Sequence, residues 1–261
     1  MRTLLAAVLL FVALGWIGVA AAVQQTSPHN LWTDVLVRFV DEMGLVDYDR
    51  LLANRDDFDV YIGWLQTNGP KSTPEAFPTR NHKLAYYLNA YNALVFKGVL
   101  SRGPERSSVW RGLVSGRTFF RGMEITFDGE FTNLQTLEDV LIRDGFKDPR
   151  IHAALNCASV SCPRLPRSAF LPEDLDVRLD AVMTEFVRDH VQYVAGEDTA
   201  RLSKIFDWFR DDFLEFELGA GNANPDLLDY VNRYRAVDAR IPKGTRVRFL
   251  DYDKGINAQR R

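Results

Sequence analysis

The sequence predicts an α+β fold, a helix-rich single domain carrying a small, mainly antiparallel sheet. Three observations lead there. Segments with apolar residues at helical spacing outnumber short alternating ones. No regular strand-helix-strand alternation of the kind that builds a parallel sheet is present. A hydrophobic content of 46%, with 12% aromatic residues, over 261 residues is ample for one buried core. The formal net charge of −3 is spread over mixed-sign sequence without a basic stripe, which argues against a nucleic-acid surface.

The chain opens MRTLLAAVLLFVALGWIGVAAA, with an early arginine, an apolar run from Leu4 to Val19, and small residues at Ala20 and Ala22 ahead of Gln24. This is the pattern of a signal peptide over residues 1–22, cleaved after Ala22, which leaves 23–261 as the domain. Export to a periplasmic or extracellular setting is expected. Left uncleaved, the run approaches membrane-spanning length and would be the protein's one contact with a bilayer.

Ser27 and Pro28 mark the start of a first helix carrying Leu31, Val35 and Phe39 on its apolar side. A short helix over 57–65 follows, stopped by Asn68, Gly69 and Pro70. Pro70, Pro74 and Pro78 then make a surface connection. The strongest helix covers 81–100, where Leu84, Leu88, Tyr91, Val95 and Val99 form a wide apolar stripe. Asn89 and Asn92 sit three residues apart on it, and asparagine is a poor helix-interior residue. Each amide either ties a neighbouring loop to the helix or binds substrate.

Residues 117–127 alternate as two strands around Arg121 and Gly122, and Asp128-Gly129 supplies a turn. A helix then starts near Thr132 or Asn133, with Thr132 and Gln135 at capping-box spacing. Glu138 falls beside its apolar stripe, facing solvent or a cleft. Pro172 opens a helix to His190. A strand pair over 191–195 and 201–203 is expected next, then a helix within 202–213 capped by Ser203 or Asp207, a helix over 226–234 and a strand over 246–250.

Chemistry concentrates in DPRIHAALNCASVSCPRLP, residues 148–166, which holds both cysteines and a histidine. Alternation there suggests a strand with His152, Ala154 and Asn156 on one face. Cys157 joins His152 if the strand ends near Asn156, as Ala158, Ser159, Ser161 and Pro163 permit. A thiol needs a nearby base or cation to become a nucleophile, and His152 is the natural base. His29, His82 and His190 could approach only through the fold. In an exported protein the same two cysteines also suit a Cys157–Cys162 disulfide, worth about 2 kcal/mol for so short a loop; a buried, inert thiol is the third possibility. His152, Cys157 and Cys162 make a conceivable metal trio, but the spacing is unusual for zinc and a fourth ligand is missing, so no metal is expected. No phosphate loop, nucleotide fingerprint or serine elbow is present, and no cofactor is expected.

Five segments together carry a family resemblance: VDYDRL at 46–51, KLAYYLNAYNALVFKGVL at 83–100, DPRIHAALNCASVSCPRL at 148–165, LSKIFDWFRDDF at 202–213 and FLDYDKGIN at 249–257. They resemble the bacterial exported family catalogued as domain of unknown function 547, with Lys254 and Gly255 in place of the usual tryptophan-serine. Glu138 also matches a family position, and Asp139 stands where histidine is usual. A weaker likeness is to a papain-like or transglutaminase-like core. That likeness implies a nucleophilic cysteine at the start of a core helix, yet helix 81–100 has none, so either the centre lies at Cys157 or the likeness fails.

Two functions follow from different classes. The first is a thiol-dependent hydrolase or acyl transferase, with Cys157 as nucleophile, His152 as base, and Asn156, Asn89, Asn92 or Glu138 orienting the imidazole. The second is a non-catalytic exported binding protein for a small molecule or peptide, its ligand loop stiffened by the Cys157–Cys162 bond and His152, Asn89 and Asn92 supplying polar contacts. Alkylation of unreduced protein separates them: labelling at Cys157 marks an open thiol, and labelling only after reduction marks the disulfide.

Overall fold

Thr79 accepts a hydrogen bond from the His82 backbone N–H and starts the longest helix of the protein, Arg80–Arg102, whose residues from Leu84 to Leu100 are buried almost all the way round. A helix apolar on every side belongs inside, and the other elements cover it. The computed structural model describes residues 28–103, 107–110 and 117–259. The stretch read as a signal peptide, 1–22, lies outside the described residues.

In chain order α1 (His29–Phe39), α2 (Tyr48–Ala53) and α3 (Asp56–Thr67) precede the central helix α4 (Arg80–Arg102), and all three pack against it. Their junction is aromatic. Phe96 of α4 lies edge-on to Trp32 at 5.2 Å and to Tyr48 at 5.4 Å between ring centroids. Full burial of each such ring contributes about 2–3 kcal/mol. Helix α2 was not anticipated. Asp47 caps it, accepting from the Arg50 N–H at 3.0 Å, a signal carried by one short polar side chain rather than by periodicity.

Strands β1 (Ile125–Phe127) and β2 (Glu130–Thr132) form an antiparallel hairpin. Asp128 and Gly129 turn it with φ of 52° and 77°, the positive values that a two-residue hairpin loop demands. The segment Arg117–Arg121 departs from expectation, being a wide helical turn and not the first of two strands. Phe119 and Phe120 are both buried, and adjacent side chains share a core only when the backbone coils, since a strand would send them to opposite faces.

Helix α5 (Leu134–Thr136) runs on into wide turns over Leu137–Asp144. Its cap is Asn133, which accepts from Thr136 N–H at 2.9 Å, and not Thr132; Gln135 bonds Asp139 instead of closing a capping box. Next comes the largest correction. Pro149–Ala153 is a 3-10 turn, not a strand. Asp148 caps the Arg150 N–H at 3.1 Å and Pro149 occupies the first position, where it needs no hydrogen bond. Ile151, His152, Ala153 and Ala154 are all buried, as in a coil packed on every side rather than a half-exposed strand.

Helix α6 (Leu175–His190) leads to β3 (Val191–Gln192), which pairs antiparallel with β4 (Thr199–Leu202). The helix expected within 202–213 is two, α7 (Lys204–Trp208), capped by Ser203, and α8 (Arg210–Gly219), with a break at Phe209. Helix α9 (Leu227–Val231), with an Asp226 capping box, and β5 (Arg246–Phe249) complete the order; β5 adds to β4 in parallel register. The result is α+β, helix-rich, with small sheets whose pairings are mainly antiparallel.

Candidate functional site

The site is built on one buried amide. Asn156 donates its backbone N–H to Asn92 Oδ1 at 2.9 Å and its side-chain Nδ2 to the Pro163 carbonyl at 2.9 Å. Its Oδ1 accepts from the Ala158 N–H at 2.9 Å and from Asn257 Nδ2 at 3.2 Å. Asn257 in turn accepts from Tyr48 Oη at 2.9 Å. The bond from Asn156 to Ala158 closes an Asx turn, and Ala158 takes φ of 59°, a left-handed conformation costly for alanine. Cys157 sits at the apex of this strained turn, half-buried, while Ala158 is fully buried beneath it.

Cys157 and Cys162 are joined as a disulfide, with Cα atoms 6.3 Å apart, inside the usual range. Tyr252 Oη lies 3.2 Å from each sulfur, and the Cys157 N–H donates to Cys162 Sγ at 3.1 Å. The C-terminal segment thus closes over the cysteines. Trp208 packs on the Tyr252 ring at 4.7 Å.

His152 comes to the same place from the 3-10 turn. Its Nε2 lies 2.7 Å from Asp212 Oδ2 on α8. Phe209, at the α7/α8 break, stacks on the imidazole at 4.0 Å, and Phe213 packs against it at 5.4 Å. Arg143 grips Asp212 with two bonds, Nε at 2.9 Å and Nη2 at 3.0 Å, and spends Nη1 on Asp139 at 2.9 Å. Burial alone would raise the Asp212 carboxyl, but the hydrogen bonds from His152 and Arg143 and the Arg143 charge outweigh it and hold the group well below the usual carboxylate range. Burial lowers His152, only partly opposed by Asp212, so the imidazole is neutral at pH 7. An ionised carboxylate can only accept, so Nε2 carries the proton and Nδ1 keeps its lone pair.

Glu138 stands on another wall. Tyr91 of α4 donates to its Oε2 at 2.7 Å. Burial pushes this carboxyl up from 4.5 to about 7, with Asp139 adding to the rise while Tyr91 and Arg143 oppose it. Glu138, Tyr91, His152, Cys157, Cys162 and Tyr252 line one cavity of about 150 Å³, completed by Trp110, Phe120, Trp208 and Phe209. A space of that size admits a group as large as a benzene ring. Among the described residues no three His, Cys, Asp or Glu side chains cluster as a metal-ligand set.

Of the residues singled out in the sequence, Cys157, Cys162, His152 and Glu138 meet at the cavity. The asparagines do not. Asn89 donates to the Phe170 carbonyl at 2.8 Å and accepts from the Phe170 N–H at 2.9 Å. Asn92 donates to the Ala154 carbonyl at 2.9 Å and accepts from Asn156. Both amides tie loops to α4, one of the two roles weighed for them. Asn156 is engaged with backbone and Asn257, and the group that orients the imidazole is Asp212. Sequence reasoning missed Asp212, Arg143, Tyr91 and Tyr252. One signal was present for the first: Asp212 stands between Phe209 and Phe213, the two rings that hold His152, and so at the inner edge of an amphipathic segment.

Residues 75–187 match the model of a family described as Protein of unknown function, DUF547, a span that contains α4, Glu138, His152 and both cysteines. No curated protein and no solved structure matches the chain.

Two predictions test the site's construction. Asn156→Ala strands the Ala158 N–H, the Pro163 carbonyl and Asn257 Nδ2 in a buried place, and we expect a loss of about 3 kcal/mol by denaturant unfolding. Glu138 retains a proton when folded that the unfolded chain has released, so its contribution is complete below pH 4.5 and declines as pH rises to about 7. Glu138→Gln should flatten the stability profile across that window, with a gain on the order of 2 kcal/mol above pH 7 after allowance for solvent at the cavity mouth.

Proposed function

From a chain whose central segment belongs to the DUF547 family, we infer a thiol-dependent hydrolase or acyl transferase whose working form has the Cys157–Cys162 bond opened. The observation that carries this is His152, bonded to an Asp212 that Arg143 grips, on the wall of the cavity that Cys157 also lines. A nucleophile beside a base, with the base positioned by a third group, is the arrangement acyl transfer uses on unrelated folds. His152 takes the thiol proton and Cys157 Sγ bonds the acyl carbon. The leaving alcohol or thiol then departs with that proton. Water, or a second nucleophile, releases the acyl group. Trp110, Trp208, Phe120 and Phe209 favour a small apolar or aromatic acyl group in the cavity. The apolar run at the start of the chain and the disulfide support an exported setting.

The closed disulfide favours a second reading, a binding pocket with an aromatic floor and an intact Cys157–Cys162 strap. One experiment separates the two. Protein reduced with a phosphine is offered a small aryl thioester and weighed intact. We expect an acyl adduct on Cys157 that is absent from unreduced protein and from Cys157→Ala. Asp212→Asn should slow its formation about 10²- to 10⁴-fold, with circular dichroism confirming the fold. Reduced wild-type protein that forms no adduct with a panel of such esters would leave the binding pocket as the better account.

A further inference from the structure

The two sulfurs of the disulfide stand in different surroundings. Cys162 is buried, whereas Cys157 at the apex of its turn is half-exposed to the cavity. The Cys157 N–H donates to Cys162 Sγ, and Tyr252 Oη lies within hydrogen-bond reach of both sulfurs at 3.2 Å. In thiol–disulfide exchange one sulfur is attacked and the other leaves as a thiolate, so the rate depends on access to the first and on stabilisation of charge on the second. Access belongs to Cys157. The backbone donor suited to a thiolate, the Cys157 N–H, is on Cys162, and the Tyr252 hydroxyl reaches both sulfurs.

The loop between the sulfurs does not need their bond. The Val160 N–H donates to the Gly255 carbonyl at 2.8 Å, the Ser161 N–H to the Asp253 carbonyl at 3.2 Å, and the Asp253 N–H to Ser161 Oγ at 2.8 Å. Asn156 holds the far end through the Pro163 carbonyl. A bridge over so short a loop adds only about 2 kcal/mol. With the frame held independently, the sulfurs remain apposed when reduced, and closure of the bond costs little entropy.

We propose that Cys157–Cys162 is a working disulfide that exchanges with a dithiol reductant, Cys157 receiving the attack and Cys162 leaving. The incoming thiolate bonds Cys157 Sγ as the Cys157–Cys162 bond breaks, and the electron pair goes to Cys162 Sγ beneath the Cys157 N–H and the Tyr252 hydroxyl. The reductant's second thiol then attacks its own sulfur in the mixed disulfide and releases Cys157. The reductant ends as a disulfide, the protein as two thiols, and the two protons come from the reductant's thiols. Glu138 lines the same cavity and holds a proton near neutral pH, which suits it to relay one to the departing sulfur. This exchange supplies the thiol that acyl transfer requires, but it does not depend on that chemistry and is observable without it.

The test uses the full oxidised chain in native buffer. Dithiothreitol should open the bond while tryptophan fluorescence and circular dichroism stay native, with opening followed by quenched alkylation and intact mass. Oxidised glutathione should give a mixed disulfide on Cys162→Ser, at Cys157, at least about tenfold faster than on Cys157→Ser, where the target sulfur is buried. Tyr252→Phe should slow opening about three- to tenfold. A bond that stays closed in folded wild-type protein and opens only in denaturant would overturn the proposal, and so would faster capture at Cys162; the wild-type arm decides even where a serine variant fails to fold. Prompt exchange without any acyl adduct would keep this inference and remove the acyl reading.

Discussion

The side chain of Asn156 is the constraint on which the site depends. It joins the cysteine loop through Ala158 and Pro163 and the C-terminal segment through Asn257, which reaches α2 at Tyr48, while the backbone N–H of the same residue bonds Asn92 on α4. An amide suits this task because it donates and accepts at once, and each of these bonds answers a buried group that would otherwise be unpaired. A hydrophobic residue of the same volume could fill the space but could not hold the left-handed turn at Ala158 that lifts Cys157 out of the core. Packing fixes where α4 lies, and this network fixes where the sulfur lies relative to it.

Electrostatics then assigns different states to two carboxylates on adjoining elements. Asp212, gripped by Arg143 and His152, stays ionised; Glu138, with a single tyrosine donor and apolar neighbours, is driven toward its neutral form. Groups of the same chemistry forced apart by environment mark sites where protons move. Both oxygens of Asp212 are occupied by Arg143, and Oδ2 also takes His152, so the imidazole has one orientation and one remaining basic atom. Arg143 also lies over the Phe209 ring that stacks on His152. A cation, a ring and a carboxylate thus position one imidazole.

Much of the fold was legible in the sequence because apolar spacing survives in any context. Helices α1, α3, α4, α6 and α9, the Asp128-Gly129 turn and the β3/β4 pair follow from periodicity and turn chemistry. The failures have a common cause. At 117–121 and 149–153 short runs mimic alternation, and only the burial of adjacent residues, Phe119 with Phe120 and Ile151 through Ala153, shows that the backbone coils there. The site was half legible for a similar reason. Cys157, Cys162 and His152 stand close in sequence and announce themselves by type, and Glu138 was found through its family position. Asp212 and Tyr252, 60 and 95 residues from the groups they bond, arrive only through folding. Asn89 and Asn92 were noticed because asparagine is unusual inside a helix, and burial resolved them as structural.

The chemistry argued for the cavity rests on Cys157 being more reactive in its folded surroundings than as a bare side chain. The most direct measurement is the rate at which iodoacetamide alkylates Cys157 in the reduced, folded protein, set against the rate at the same cysteine in denaturant at the same pH. The arrangement of His152, Asp212 and the strained turn predicts faster labelling in the folded state, by about tenfold or more. A folded rate equal to or below the unfolded one would show an inert thiol and contradict the assignment of Cys157 as a nucleophile.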